Sequence, residues 1–267
     1  MGIKIMKKIL FLGDVVGAPG REFLYKKALP LKTHYAADFL IVNGENAAAG
    51  SGINERIYHE MIHAGVDAVT LGDHAWDQRG FVNDLPRLEK ICRPANYYEN
   101  APGAPYLILK DSDGFRLLVF TLLGQTFMRG KTDCPFAKAS TLFENLTGSY
   151  DAAFVEMHGE VTSEKIAMGW HLDGKAAAVI GTHTHVATAD NRILPAGTAY
   201  QTDAGMCGAQ DGVIGREKSV VLQSLMDGLP RRFEIATDDV RLCGCLITYD
   251  PEQSRAVAIE RIEIPAD

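Results

Sequence analysis

Four apolar, strand-like runs in this chain each stop at side chains that bind metals or move protons. KKILFLG leads to Asp14, FLIVNG to Glu45 and Asn46, AVTLG to Asp73 and His74, and AAVIGT to His183 and His185. The first three acidic residues lie 31 and then 28 positions apart, close to the ~30 residues of a strand-helix-strand unit. Successive parallel strands therefore bring Asp14, Glu45 and Asp73 to one sheet edge, where open α/β sheets keep their ligand sites. Carboxylates and imidazoles gathered there would repel one another or lie desolvated, and bound divalent metals are the natural remedy.

Composition narrows the class. A chain of 267 residues with 46% hydrophobic and 23% charged side chains can bury a substantial core and is not globally disordered. A formal charge of −7 argues against binding long nucleic acid. It leaves room for a small phosphate ligand, because metal ions reverse the local sign. Five cysteines at unpatterned spacings point to no disulfide framework and to a reducing cytoplasm. Cys243 and Cys245 leave two readings, buried thiols or half of a thiolate metal site. At the N-terminus, Lys4, Lys7 and Lys8 precede ILFLGDVVG, but Asp14 interrupts it and no small-residue cleavage pattern follows, so it reads as a first strand. Met1-Gly2 hints at acylation, yet Met6 stands where Ser or Thr is expected. No stretch approaches the ~20 apolar residues of a membrane span.

The first half alternates strands (8–13, 38–43, then VDAVTLG) with helices. The helix over REFLYKKALPLKTHY should stop near Leu29, before Pro30. A helix over 54–64 has Asn54 as its cap and Gly65 after its end. Beyond the turn-rich NAPGAP, the pattern predicts an antiparallel hairpin in YLILKDSDGFRLLVFTLLG, a strand DAAFVEM ending at His158, and a helix over SEKIAMGWHLDG. The strand AAAVIG, a helix in GREKSVVLQSLMDG and a final strand pair complete an α/β chain read as one domain, 1–267.

Among the candidate residues, His183 and His185 are the sharpest signal, since positions i and i+2 of an extended segment project to one face. Asp14 alone is compatible with a simple cap. Glu45 sits in a glycine-rich loop that lets other groups approach. Asp73-His74 combines a carboxylate with an imidazole, with Trp76 and Asp77 placed to orient the loop. His158 is recommended only by its place after a strand. His34, His59, His63 and His171 read as ordinary surface or partly buried residues. The loop GQTFMRGKTDCPF, with Phe127, Met128 and Phe136, has two readings: a lid beside the site, or a hydrophobic loop packed on the core. Arg93 and Asn96 are candidates for supporting the site from behind.

Taken in order, GDVVG, NGENAA, GDHAWD, RPANY, LDGKAAAVIGTHTHV, TAYQTDAGM and DGVIG resemble the YmdB-type branch of the calcineurin-like metallophosphoesterases over nearly the whole chain. The resemblance implies a four-layer α/β/β/α sandwich and a two-metal centre hydrolysing phosphodiesters, with 2′,3′-cyclic nucleotides as the substrate class. It implies that Asp14, Glu45 and His185 hold one metal, with Glu45 bridging, and that Asp73, His158 and His183 complete the second. Asn46 would touch those ligands or a phosphate oxygen, His74 would be the general acid, and a metal-bridging hydroxide would attack. Iron, manganese or zinc suits the mixed ligands, in divalent or mixed-valence form. Free cyclic nucleotides or cyclic-phosphate RNA ends are the implied partners, with no membrane, and self-association fits the family.

One departure stands out. The family reads Gly-Asn-His where this chain has Gly72-Asp73-His74. One extra negative charge at about 4 Å and an effective dielectric near 20 is worth about 4 kcal/mol against a phosphate. Weaker substrate capture or tighter metal binding would follow. The alternatives keep the metals but take a phosphomonoester or a 3′,5′-cyclic nucleotide, or make the protein a catalytically weakened metal- or nucleotide-binding regulator.

Overall fold

The computed structural model describes residues 6–266, so the Met1-Gly2 acylation reading and Lys4 lie outside the described residues. The chain runs through β1 (Lys7–Leu12) and β2 (Asp14–Val15), helix α1 (Gly17–His34), β3 (Phe39–Asn43), α2 (Glu55–His63), β4 (Ala68–Thr70), the short α3 (Phe81–Asp84) and β5 (Ile91–Cys92). The hairpin β6 (Leu107–Lys110) and β7 (Arg116–Leu123) precedes α4 (Pro135–Asn145), β8 (Ala152–His158), α5 (Thr162–His171) and β9 (Ala178–Thr182). Then come β10 (Arg192–Ile193), β11 (Ala199–Gln201), β12 (Met206–Ala209), α6 (Lys218–Asp227), and the long pair β13 (Val240–Asp250) and β14 (Arg255–Pro265).

These strands form two sheets. One has the order β2-β12-β13-β1-β3-β4-β5, with β14 also paired to β13; the other is β10-β11-β9-β8-β7-β6. β1, β3, β4 and β5 are parallel neighbours, as are β7, β8, β9 and β11, whereas β6 pairs antiparallel with β7 as the DSDG turn predicts. Side chains alternate with period two and are apolar on both faces. Ile9, Phe11, Phe39 and Ile41 meet Leu117, Val119, Phe154 and Ile180 in a core shared by the two sheets, with Phe11 and Phe154 rings 4.9 Å apart. Leu10, Leu12, Leu40 and Val42 face Phe23, Leu24, Ile57 and Met61 of α1 and α2. Leu118, Phe120, Val155 and Val179 face Leu142 of α4 and Met168 of α5. No described helix is long and apolar enough to cross a membrane.

Most predicted elements appear within a residue or two of their expected limits, including the Asn54 cap, whose Oδ1 accepts from Ile57 N at 3.0 Å. Helix α1 is the correction: it begins earlier and runs through Pro30 to His34. Leu31 is buried in the helix-facing core. Lys8 Nζ donates to Tyr35 O at 3.0 Å, and Lys32 pairs with Asp67. These tertiary contacts outweigh the lost N–H and the ring crowding of an interior proline. Cys243 and Cys245 are buried on β13, and burial pushes the Cys243 thiol up to about 11.

One buried ion pair ties α5 to the segment after β11. Lys165 Nζ lies 2.8 Å from Asp203 Oδ2 and 3.1 Å from Thr182 O, with both side chains of the pair fully buried. Asp203 Oδ2 also accepts from Thr184 N at 3.2 Å and Thr184 Oγ1 at 2.7 Å. Lys165→Met should therefore lower the unfolding free energy by about 3–5 kcal/mol in urea denaturation, because the Asp203 charge stays buried without its partner. Pro30→Ala should raise it by about 1–2 kcal/mol with an unchanged m-value, since the exposed proline interrupts a helix that continues past it.

Candidate metal centre

The two sheets contribute different chemistry to one place. Asp14, Glu45 and Asp73 follow β1, β3 and β4 of the first sheet, whereas His158 ends β8 and His183 and His185 follow β9 of the second. Donor atoms of Glu45, Asp73, His158 and His183 all lie within 4.8 Å of one another. His158 Nε2 is their meeting point, 3.1 Å from Glu45 Oε1, 3.3 Å from Asp73 Oδ1 and 3.1 Å from His183 Nδ1. Gly72 makes this possible: a Cβ there would stand 2.0 Å from Glu45 Oε2 and 2.4 Å from His158 Nε2.

A buried relay sets the orientation of His158. Its Nδ1–H donates to Thr182 Oγ1 at 2.9 Å, and that hydroxyl donates to Glu156 Oε1 at 2.6 Å. Asn43 Nδ2 donates to the same carboxylate oxygen, and Thr121 Oγ1 to the other at 3.3 Å. Nε2 is thus aimed at the carboxylates, an arrangement typical of metal-binding histidines. A proton on the imidazole relieves the same repulsion that a metal ion would. Burial disfavours the imidazolium, but Glu45, Asp73 and Glu156 outweigh it and hold His158 well above the usual histidine range. Burial likewise opposes ionisation of Asp73, yet hydrogen bonds to His158 and His183 keep its carboxyl far below the usual carboxylate range.

Asp14 and His185 stand beside this cluster. Asp14 is fully buried, and its Oδ1 has no hydrogen-bond partner, while Oδ2 accepts from His183 N at 3.2 Å. Burial pushes its carboxyl well above the usual range, with His158 opposing. His185 Nδ1 lies 3.2 Å from Ile214 O and Nε2 3.2 Å from Asn46 Oδ1. Burial pushes this imidazole below its ordinary range. When Nδ1–H donates to the carbonyl, the Nε2 lone pair faces another acceptor, Asn46 Oδ1. The orphaned Asp14 oxygen and this pair of acceptors both fit a cation held near them.

His183 and His185 do not lie on an extended strand, contrary to the alternation expected of GTHTHV. β9 stops at Thr182, and the two histidines take φ values of +94° and +65°. Left-handed backbone at a residue with a Cβ costs of order 1–2 kcal/mol and needs support from its surroundings. Asp203, gripping Thr184 between them, provides it. The turn sends His183 to the four-residue cluster and His185 to Asn46.

His74 lies on the other side of Glu45, its N–H 3.3 Å from Glu45 Oε2. Its Nδ1 is 2.6 Å from Asp77 Oδ2 and 3.2 Å from Ser51 Oγ, which itself donates to Asp77 at 2.6 Å. Burial disfavours the Asp77 carboxylate, but Ser51 and His74 outweigh it and hold it below the usual range. A cavity of about 390 Å³ is lined by Glu45, Asn46, His74, Glu160, His183 and His185, with Ile214 and Arg216 on its wall.

Several groups around the site gave little sign of themselves in the sequence. Glu156 and Lys165 lie in segments with no local mark of a polar task, whereas Thr182 adjoins His183 and Asp203 lies within TAYQTDAGM, with no local sign of what either holds. Glu160 stands two residues after His158, and its Oε2 lies 3.2 Å from His183 Nε2. Other candidates fall away from the site. Phe127 is 84% exposed, Phe136 packs on the outer core, and none of Phe127, Met128 and Phe136 lines the cavity. Asn96 pins backbone at Leu123 and Asp133, and Arg93 donates to Ala101 O and Pro94 O. Those bonds hold loop backbone rather than the metal-ligand candidates.

Known proteins are similar to this chain in sequence and fold. The family described as YmdB-like protein matches residues 10–262. A Bacillus subtilis (strain 168) protein named 2′,3′-cyclic-nucleotide 2′-phosphodiesterase is 46% identical over 263 residues, covering 97% of this chain and 98% of that one. The crystal structure of a hypothetical protein from Thermus thermophilus matches with a TM-score of 0.90 and 39% identity, covering 97% of this chain and 100% of the other. A structure titled a novel phosphatase, from Mycoplasma pneumoniae, matches with a TM-score of 0.92 and 33% identity over 99% of this chain and 95% of its own. With two sheets and a cluster of carboxylates and imidazoles between their edges, this chain belongs to the YmdB-like protein family.

Proposed function

We propose that this protein is a metal-dependent phosphodiesterase acting on 2′,3′-cyclic nucleotides. The observation that carries the reading is the convergence of Glu45, Asp73, His158 and His183 within 4.8 Å. The named activity of the Bacillus subtilis relative supports the substrate class. Asp14, Glu45 and His185 would hold one ion and Asp73, His158 and His183 the other, with Glu45 shared. Iron, manganese and zinc all suit such oxygen and nitrogen donors. When bound, two divalent ions would supply Lewis acidity toward the phosphate and lower the pKa of a water. In the same reading the three cores separate the layers of an α/β/β/α sandwich formed by 1–267, and the buried thiols belong to a cytoplasmic enzyme.

The chain's own residues supply the rest. His74, held through Nδ1 by Asp77 and Ser51, has Nε2 as the nitrogen left to carry a proton to the departing ribose oxygen. Asn46 donates through Nδ2 to Gly50 O at 3.4 Å, which sets its amide beside His185. Thr182 and Glu156 fix the tautomer of His158. A second reading, a weakened enzyme that binds nucleotide without turning it over, is favoured by one feature: Asp73 is ionised and 3.3 Å from His158, adding a negative charge where phosphate must approach.

Metal-reconstituted protein should hydrolyse 2′,3′-cyclic AMP and leave 3′,5′-cyclic AMP largely intact. His74→Ala should lower kcat by about 10²- to 10⁴-fold at unchanged metal content. Asp77→Asn, which removes only the orienting carboxylate, should lower it by about 10- to 100-fold. Chelation should abolish turnover, and manganese or iron should restore it. Fully metallated protein that turns over neither isomer would defeat the phosphodiesterase reading, and activity gained in Asp73→Asn alone would establish the weakened-enzyme alternative.

A further inference from the structure

Arg216 is the one lysine or arginine among the residues lining the cavity. It is half-buried, and among the described residues its guanidinium pairs with no carboxylate. Instead it donates from Nη1 to Ala49 O at 3.2 Å and from Nη2 to Gly50 O at 2.7 Å. Gly50 admits it: the residue has φ of +83°, and a Cβ there would stand 2.5 Å from Nη2. Two carbonyls leave part of the five-donor fork uncommitted.

Its position is coupled to the site from both sides. Gly50 O accepts from Arg216 and also from Asn46 Nδ2, and Asn46 Oδ1 lies 3.2 Å from His185 Nε2. The turn carrying Arg216 is closed by Val213 and Arg216 pairing, with Ile214 and Gly215 both at positive φ, and Ile214 O meets His185 Nδ1. The guanidinium therefore sits in a built place rather than on a free surface arm.

Charge supplies the reason. Asp14, Glu45 and Asp73 are the carboxylates of the proposed metal sites and Glu160 lies on the cavity wall, 3.2 Å from His183 Nε2, so four carboxylates would balance two divalent ions. Such a centre exerts no net pull on a phosphate. An unpaired, partly desolvated guanidinium is itself unfavourable until an anion joins it. We propose that Arg216 is a phosphate-binding specificity residue, taking a non-bridging oxygen of the substrate phosphate and supplying the positive charge that Asp73 removes. This rests on the phosphodiesterase reading. Planar, multi-donor recognition of phosphate is what separates arginine from lysine at such a place.

The test measures inorganic phosphate affinity of metal-loaded protein by calorimetry, beside steady-state kinetics on 2′,3′-cyclic AMP. Arg216→Met should weaken phosphate binding and raise KM by about 10- to 100-fold, with kcat within about threefold and metal content unchanged. Arg216→Lys should recover part of the loss. Adding Asp73→Asn to Arg216→Met should recover phosphate affinity, because the charge deficit is shared. Unchanged phosphate affinity and KM in Arg216→Met would overturn the assignment while leaving the phosphodiesterase reading intact. Loss of metal together with affinity would also overturn it, making Arg216 a brace for the 46–50 turn. If the parent protein turns over no cyclic nucleotide yet Arg216→Met still loses phosphate affinity, the activity reading fails and Arg216 stands as a phosphate ligand.

Discussion

The site is organised around one electrostatic conflict, the crowding of carboxylate and imidazole groups around His158 Nε2 at 3.1–3.3 Å. Groups of this kind do not gather in a low-dielectric interior unless a proton or a metal ion relieves them. The fold keeps them together through apolar packing. The first sheet carries Glu45 and Asp73 and the second the two clustered imidazoles, His158 and His183, so the core shared by Phe11, Ile41, Val119 and Phe154 fixes their separation. A small slip between the sheets would disperse the cluster even with every strand intact.

Two buried polar assemblies refine what packing sets coarsely. The Asn43, Glu156, Thr121 and Thr182 network holds His158 in one tautomer and one orientation. The Lys165–Asp203 pair holds the turn in which His183 and His185 adopt left-handed backbone. Both consist of charged or polar groups that would be costly in a core if incompletely paired. Here nearly every atom of these groups has a partner. The orphaned oxygen that stands beside them, Asp14 Oδ1, lies against the cluster, 3.8 Å from His158 Nδ1.

The outer wall shows the same logic at a partly hydrated boundary. Ile214 and Arg216 are brought to the cavity by a turn more than 160 positions from the Ala49–Gly50 segment it closes against. Nothing in DGVIGREK marks that arginine as different from its neighbours. Its environment does: the lining around it is rich in carboxylates and imidazoles, and its own hydrogen bonds go to carbonyls.

Local sequence was enough to locate the strands, the Asn54 cap, the hairpin and most metal-ligand candidates, because strand periodicity and the place where an apolar run ends are short-range properties. Asp14, Glu45, Asp73, His158 and His183 were legible for that reason. The course of α1 through Pro30 was not, since propensity yields to Leu31 burial and to the contacts of Lys8 and Lys32. The aim of His183 and His185 departs from strand alternation because their backbone is set by Asp203, a residue 18 or more positions away. Glu156, Lys165 and Arg216 gained their meaning only when distant segments met. Sequence determined which chemistry sits at the strand ends, as a matter of local pattern. Tertiary structure alone decided which of those groups share a point in space, because burial, pairing and charge balance are properties of neighbours that the chain brings together only on folding.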